Sequence, residues 1–305
     1  MGVLDIGSNT GHLLVVDAHD GAAPLPALSF KEPLRLAEHL DADGAVTPEG
    51  TEALTRFVAD SVEVAEERGC QEMLSFATSA VREATNSDHV LDHVQKHTGV
   101  RLEVLSGEDE ARLTFLAVRR WFGWSSGRLA VFDIGGGSLE IAGGSDESPD
   151  IAWSMPLGAA RLAERYPDLS EPAALKAARR EIRAAIAQDA GQLIRLGQPN
   201  HSVCTSKTFR SLSRICGAAP RGEGLLVKRY LPLDKISEWI PKLVTMSPEE
   251  LSDLPGVSPF RTHQIVPGAL VAEAALDIFG LDRFEVCPWA LREGVILERI
   301  DQFIH

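Results

Sequence analysis

Short apolar runs alternate with longer amphipathic stretches along this chain, and the two periods divide it into strands and helices. Residues 2–6, 12–17 and 25–34 read as the strands of a meander. Thr47-Pro48-Glu49 opens a helix, with Thr47 as its cap and Pro48 in first position, that runs to Arg68 and stops at Gly69. A short buried strand follows at 73–77, a helix at 87–97 and a strand at 102–105. Ser106 caps the next helix; Asp109 in third position comes close to a capping box, and Ala111, Phe115 and Val118 point one face at a core. Gly-Trp-Ser-Ser-Gly at 123–127 then punctuates the chain. Beyond it the pattern resumes, with strands at 128–133, 138–143, 151–155 and 201–205. Helices are expected at 172–195, 206–216, 234–245, 262–279 and 290–303. Alternation of this kind implies an α/β fold whose sheets are covered by helices. The punctuation suggests two domains, 1–122 and 123–305, with the last helix free to pack back on the first.

Two of the strand junctions match. Asp5-Ile6-Gly7-Ser8-Asn9-Thr10 recurs, slightly altered, as Asp133-Ile134-Gly135-Gly136-Gly137-Ser138. Each copy ends an apolar strand, makes a tight glycine turn and enters a second apolar strand. Glycine lets the backbone approach an anion and aim successive amides at it. An aspartate at the strand end can hold a metal ion, directly or through water. Either loop alone is also an ordinary hairpin turn; the pair suggests duplicated half-domains with a cleft between them, facing one phosphate site.

Composition narrows the class without deciding the chemistry. The 305 residues are 44% hydrophobic and 24% charged, an ordinary soluble composition sufficient for about two cores. No apolar run approaches the roughly 20 residues that span a bilayer, so no membrane partner is expected. The start enters a strand directly, with no basic region or cleavage site, and position 6 is Ile, not Ser or Thr; both argue against export and myristoylation. Cys70, Cys204, Cys216 and Cys287 are widely spread, as reduced thiols of a cytoplasmic protein would be. A net charge of -14 argues against general nucleic-acid binding. Between Arg161 and Arg229, however, 13 Lys and Arg face 6 Asp and Glu, a basic stretch suited to a polyanion or, more plainly, to a solvated helix face carrying Arg179, Arg180 and Arg183.

Several residues carry candidate chemistry. Glu108, Asp109 and Glu110 share the first turn of one helix. Acids there complement the helix dipole, yet this helix directly precedes the second glycine loop, and Glu110 is placed to take a proton from a water attacking phosphorus. Cys204-Thr205-Ser206-Lys207-Thr208 is a third strand-to-helix junction, suited either to an anion or to plain N-capping. Arg82, in Thr78-Ser79-Ala80-Val81-Arg82, reads equally as a phosphate clamp and as an ion pair with Glu83. Arg292-Glu293-Gly294 reads as much as a structural ion pair and helix start. His89, His93 and His97 share a helical spacing, on a polar helix that reads as a solvated face. No Gly-x-x-x-x-Gly-Lys-Ser/Thr loop is present.

Together these segments resemble the exopolyphosphatase/guanosine pentaphosphate phosphohydrolase family (Ppx/GppA), of the superfamily of actin, sugar kinases and chaperone ATPases. The resemblance runs over essentially the whole chain. Its carriers are the two glycine loops, Thr78 to Ala84, Leu105 to Leu113, Pro156-Leu157-Gly158, Val266-Pro267-Gly268 and Ala290-Leu291-Arg292-Glu293-Gly294. It implies duplicated actin-like (ribonuclease H-like) α/β half-domains and hydrolysis of the terminal phosphoanhydride of inorganic polyphosphate, with short chains expected to be the better substrates. It further implies Glu110 as catalytic base, with Asp109 in place of the family's first glutamate. Asp133 and Glu140 would hold Mg²⁺ (or Mn²⁺). Gly7, Ser8, Asn9, Thr10, Arg82, Gly135, Gly136, Gly137, Ser138, Ser206, Lys207 and Thr208 would hold phosphates. The family's third loop reads Ser-Gly-Thr; here Lys207 replaces the glycine and is expected to reach the phosphate chain. Ending at His305, the chain is expected to lack the extra helical domains of longer members. The resemblance leaves open guanosine pentaphosphate as substrate, inhibition by the alarmone ppGpp of the stringent response, a homodimer, an ATP-dependent kinase of the same superfamily and a non-catalytic alarmone-binding regulator.

Overall fold

A computed structural model describes residues 1–19 and 21–302. In chain order its elements are β1 (Gly2–Ile6), β2 (Gly11–Val16), β3 (Pro26–Glu32), α1 (Pro48–Glu67), β4 (Met73–Ala77), α2 (Ser79–Arg82), α3 (Ser87–Thr98), β5 (Glu103–Val104) and α4 (Gly107–Phe122). There follow β6 (Leu129–Ile134), β7 (Leu139–Gly144), β8 (Ile151–Met155), α5 (Ala159–Arg165), α6 (Pro172–Ile194), β9 (His201–Thr205) and α7 (Ser206–Ile215). The chain closes with β10 (Tyr230–Pro232), α8 (Leu233–Leu243), α9 (Pro248–Asp253), α10 (Thr262–Ile278), β11 (Arg283–Val286) and α11 (Leu291–Asp301). Position 303, where the last helix was expected to end, lies outside the described residues.

The first unit comprises Met1–Leu113 and the segment from Leu291. Its sheet runs β3-β2-β1-β4-β5: β1, β2 and β3 form the antiparallel meander, and β4 and β5 add in parallel. Side chains alternate across the sheet. Leu4, Ile6, Leu13 and Val15 face α1 and α3, which bury Leu54, Phe57, Val58, Val90 and Val94 against them. Val3, Leu14 and Val16 face the other way, onto Ile296 and Ile300 of α11. The α1 cap is the expected one, Thr47 Oγ1 accepting from the Gly50 amide at 3.2 Å. α11 lies close enough to α4 that a Cβ on Gly294 would sit 2.0 Å from the Leu113 carbonyl oxygen, so only glycine fits there.

The second unit is Thr114–Ala290, with the sheet order β10-β11-β9-β6-β7-β8. Read from its other edge, β8-β7-β6-β9-β11 repeats β3-β2-β1-β4-β5, with the same antiparallel triple and parallel additions. This is the duplicated actin-like α/β architecture the sequence implied. α10 is apolar nearly all round and is accordingly buried on most of its faces, from Ile265 to Leu276. Among the described residues no helix is long and apolar enough to cross a membrane, and none of the four cysteines is in a disulfide.

The division falls inside α4, at Leu113/Thr114, where the sequence suggested 122/123. The reason is Arg119, 1% exposed, which donates to Ser126 Oγ (2.8 Å) and to the carbonyls of Gly127 (2.8 Å), Asp146 (3.1 Å) and Gly144 (3.2 Å). These bonds make the glycine-rich punctuation a packed turn of the second unit instead of a linker. β10, β11, α2, α5 and α9 were not anticipated. The two strands have three and four residues, too few to display a period of two, and α2 and α9 have one turn or little more.

Candidate functional site

The two glycine loops close in the same way. Gly7 N–H donates to the Thr10 carbonyl at 3.1 Å, and Gly135 N–H donates to the Ser138 carbonyl at 2.9 Å. Each bond ends an antiparallel ladder, after the pairs Ile6↔Gly11 and Ile134↔Leu139. The repeat seen in the sequence is therefore a repeat of backbone geometry.

In the first unit the candidate residues form one connected chain. Ser8, buried in the loop, shares a hydrogen bond with Ser79 Oγ at 3.0 Å. Ser79 begins α2, and Arg82 ends it. Arg82 Nη1 donates to the Leu105 carbonyl at 2.7 Å and forms an ion pair with Glu110, while Nη2 lies 3.6 Å from Glu83. The ion-pair reading of Arg82 named Glu83; the buried partner is Glu110. The three acids at the start of α4 have separate fates. Glu108 is exposed. Asp109 is spent on the cap: its backbone N–H donates to Ser106 Oγ at 3.0 Å, and Ser106 Oγ donates to Asp109 Oδ2 at 2.6 Å. Glu110 alone turns inward, at 7% exposed. Asn9 and Ser8 give their carbonyls to the Arg35 and Ala37 amides (3.1 and 3.3 Å), which fixes the outer side of the loop.

In the second unit Asp133 and Glu140 are directly paired across β6 and β7, so both carboxylates emerge on one face beside the loop. Thr205 Oγ1 donates to Asp133 Oδ2 at 2.5 Å, and Ser154 Oγ donates to Glu140 Oε1 at 2.9 Å. Glu140 is 5% exposed. Loop Gly135–Ser138 is braced from behind by the Pro156-Leu157-Gly158 turn. The Ala159 amide donates to the Gly135 carbonyl (3.0 Å), the Ala160 and Arg161 amides to Gly136 (2.9 and 3.1 Å), and Arg161 Nε to Gly137 (2.9 Å). A Cβ at Gly158 would lie 2.2 Å from the Gly136 carbonyl oxygen, which is why the turn ends in glycine. With its carbonyls held on that side and the Gly135 amide closing the turn, the loop is stiff.

The third loop departs from expectation. Lys207 stands where the family's glycine does, yet the left-handed residue is Ser206, at φ 77°. Lys207 Nζ donates to the Gly256 carbonyl at 2.8 Å, the same oxygen that accepts from Ser211 Oγ at 2.8 Å. The lysine thus anchors the α7 start to the segment before α10. Thr208 is buried, its methyl group against Gly268 of α10.

Sequence reasoning missed Arg161, Thr205 and Ser154. Thr205 left a signal: Ala77-Thr78-Ser79 and Cys204-Thr205-Ser206 are a further repeated pair, both at the ends of the parallel strands β4 and β9. The duplication has also diverged in a telling way. The position across from Asp5 is His12, where Asp133 faces Glu140. Arg292 Nη1 lies 3.3 Å from Asp5 Oδ2. Burial, then Arg292 and Lys31, push the His12 pKa down to about 3, so the imidazole is neutral; its Nε2 lies 2.7 Å from Ser29 Oγ. The first copy has a guanidinium built in where the second presents two carboxylates.

Those carboxylates suit a hard cation. Among the described residues no group of three His, Cys, Asp or Glu side chains could enclose a metal. Mg²⁺ does not require one: it usually takes one or two carboxylates and completes its shell with waters and substrate phosphates. His89, His93 and His97 stay on their helix face, His93 and His97 with rings stacked 4.1 Å apart.

The model of the Ppx/GppA phosphatase family matches residues 14–303. A protein of Mycobacterium tuberculosis called Exopolyphosphatase 1 is 49% identical over 99% of this chain and 88% of its own length. An exopolyphosphatase of Cytophaga hutchinsonii, solved by crystallography, superposes with a TM-score of 0.87 at 22% identity, over 99% of this chain and 97% of that one. The Aquifex aeolicus Ppx/GppA family member has a TM-score of 0.82 at 22% identity, covering 100% and 98%. The chain belongs to the Ppx/GppA phosphatase family.

Proposed function

We propose that this protein is an exopolyphosphatase, which releases the terminal phosphate of inorganic polyphosphate with Glu110 as general base. The observation that carries the choice of residue is the sorting of the three acids on α4. Glu108 is exposed, Asp109 is committed to the cap, and Glu110 is buried beside Arg82. The relative named Exopolyphosphatase 1, at 49% identity over nearly the whole chain, supports the choice of reaction.

In this reading Glu110 takes a proton from water as the water oxygen bonds to the terminal phosphorus. The anhydride bond to the next phosphate breaks, and the shortened chain leaves with the electron pair. Charge spreads over the transferred group's oxygens, so fixed donors aimed at it supply most of the catalysis. The amides of Ser8–Thr10 and Gly136–Ser138, the hydroxyls of Ser206 and Thr208, and Arg82 are the donors proposed. Asp133 and Glu140 would hold Mg²⁺ or Mn²⁺, which when bound neutralises phosphate charge and polarises the phosphorus. Thr205 and Ser154 would orient those two carboxylates through the hydrogen bonds described above.

The test is phosphate release from short polyphosphate, long polyphosphate, guanosine pentaphosphate and ATP under one set of conditions with Mg²⁺. Polyphosphate should give the highest kcat/KM. Faster release from guanosine pentaphosphate would transfer the reading to the alarmone, and release from none of the four would defeat it.

A further inference from the structure

Helix α3 carries a ridge of histidines that the proposed reaction does not use. His89, His93 and His97 recur at intervals of four, so they stack along one side of the helix. Val90 and Val94, one position further round, are fully buried in the core of the first unit and fix which way the ridge turns. The His93 and His97 rings lie 4.1 Å apart, with 28° between their planes. His89 stands off, its ring centre 6.5 Å from that of His93. The last turn of the helix, which carries His97, is pinned. The Gly99 amide donates to the Gln95 carbonyl at 2.9 Å, and Thr98 Oγ1 donates to the Val94 carbonyl at 2.7 Å.

One contact orders the ring nitrogens. His97 Nδ1 lies 2.8 Å from the His93 carbonyl oxygen, which can only accept. Nδ1 therefore carries the proton, and in the neutral ring the lone pair is on Nε2. Histidines that ligate metals are held in the same way, the second ring nitrogen donating to a carbonyl or carboxylate. On the side of α1, Glu52 Oε2 lies 3.9 Å from His93 Nε2. A carboxylate facing that nitrogen also faces a cation bound to it. The surrounding charge favours a cation as well. The first unit holds 24 Asp and Glu against 10 Lys and Arg, which is the whole net charge of -14. A surface of one sign concentrates counter-ions near it.

We infer that His93 and His97 form a two-histidine clip for a borderline transition-metal dication, the class of Zn²⁺ and Ni²⁺, on the surface of α3. Histidines four apart on one helix face are the spacing with which helices hold Zn²⁺. Imidazole suits such ions, whereas Mg²⁺ prefers oxygen. The clip therefore differs in chemistry from the Asp133 and Glu140 pair, which offers carboxylate oxygens. The two ring nitrogens supply two ligands. Water completes the shell, and Glu52 balances charge from outside it. Ligation across one helical turn holds the end of α3 in helical form, so an ion bound there stabilises the folded chain. The site stands whether or not the protein hydrolyses polyphosphate.

The test is calorimetric titration of the untagged full chain with Ni²⁺ and with Zn²⁺, in excess Mg²⁺ to occupy carboxylate sites, with thermal unfolding measured on the same samples. His93→Ala, His97→Ala and the double variant are compared with His89→Ala and Glu52→Gln. His89 and His97 are exposed, and the side chains of His93 and Glu52 are 29% and 71% exposed, so the metal-free Tm of each variant should stay near that of the wild type. The wild type should bind Ni²⁺ and rise in Tm. His93→Ala and His97→Ala should each weaken Ni²⁺ at least about tenfold and remove most of the Tm rise. Glu52→Gln should weaken it less than about fivefold, the size of an exposed ion pair. His89→Ala should leave the affinity within about twofold, since its ring lies outside the close pair. A wild type that binds neither Ni²⁺ nor Zn²⁺ in excess Mg²⁺ would overturn the clip. So would an unchanged Ni²⁺ titration in the double variant, or a loss in His89→Ala equal to that in His97→Ala.

Discussion

Replacing Glu110 with Gln separates the two things a buried acid beside an arginine can be, a base and a structural ion pair. The amide keeps the shape and can still accept from Arg82, but it cannot take a proton. A general base supplies about 10²- to 10⁴-fold, so kcat should fall by that factor, equivalent to about 2.7–5.5 kcal/mol. The stability cost is separate and smaller. Arg82 retains the Leu105 carbonyl at 2.7 Å and Glu83 at 3.6 Å. Its side chain is 21% exposed, so water still reaches the remaining charge. The lost charge assistance is worth about 1 kcal/mol, the gap between charged and neutral hydrogen bonds. Two neighbours provide controls with opposite expectations. Glu108→Gln is exposed and should change neither quantity. Asp109→Asn loosens the Ser106 cap and should cost about 1 kcal/mol of stability with little effect on kcat. The assay is single-turnover phosphate release from polyphosphate, with binding and thermal unfolding measured on the same samples. If Glu110→Gln keeps kcat within threefold of wild type while losing stability, Glu110 is a structural partner of Arg82 and the mechanism falls.

Other substitutions address separate parts of the reasoning. Asp133→Ala should raise the Mg²⁺ or Mn²⁺ concentration needed for half-maximal activity at least tenfold, and wild-type activity that survives excess EDTA would defeat a metal there. His12, ordinarily near 6.5, is held down to about 3. The unfolded chain therefore takes up a proton that the folded imidazole refuses. Stability should fall as pH drops from about 6.5 toward 3, and His12→Gln should flatten that slope in pH-dependent denaturant melts. Ser206→Gly should stabilise by about 1 kcal/mol, since glycine adopts the left-handed backbone at φ 77° without a Cβ penalty. Lys207→Ala should lower Tm through loss of the Gly256 bond, with KM for polyphosphate unchanged; a raised KM would restore the lysine to the substrate.

Much of the fold was legible because its long elements declare themselves by period and punctuation. α1 shows Thr47, Pro48 and Gly69 at its ends, and β1, β2, β6 and β7 are continuous apolar runs around glycine turns. β11 was not legible. It sits beside β9 in the sheet, yet only four residues make it, with Arg283 and Glu285 alternating with Phe284 and Val286. Its place comes from burial of Phe284 against Phe132 and Phe209, contacts far apart in sequence. At the site, residue types announced the loops but not their partners. That Arg82 meets Glu110, and not only Glu83 beside it, depends on β5 bringing the α4 start alongside β4. The third loop was misread for a related reason. A missing glycine signals a backbone problem, but sequence does not say which neighbour absorbs it. Ser206 takes the left-handed conformation, and Lys207 is left with ordinary helical geometry and a carbonyl to bond.

The two half-domains carry two different charge arrangements on one architecture. Both end a central strand in aspartate and turn through the same closed glycine loop. In the first copy the residue across from the aspartate is a neutral histidine, and Arg292 from α11 lies against Asp5. That carboxylate is already balanced within the protein. In the second copy the residue across is Glu140, and the hydroxyls of Thr205 and Ser154 donate to the two carboxylates. Hydroxyls orient an acid without cancelling its charge. A pair of oriented carboxylates beside a phosphate loop would repel a phosphate unless a divalent cation stands between them. The same logic makes Arg292→Met informative. It should leave Asp5 poorly balanced and cost stability, about 1–3 kcal/mol for a charged hydrogen bond removed from a half-buried pair. It should also release part of the depression on His12, whose second cause is that guanidinium. The outcome to look for is a His12 titration that moves up while stability falls. A variant that loses stability with no movement of His12 would show that Arg292 packs α11 without governing the charge of the first loop.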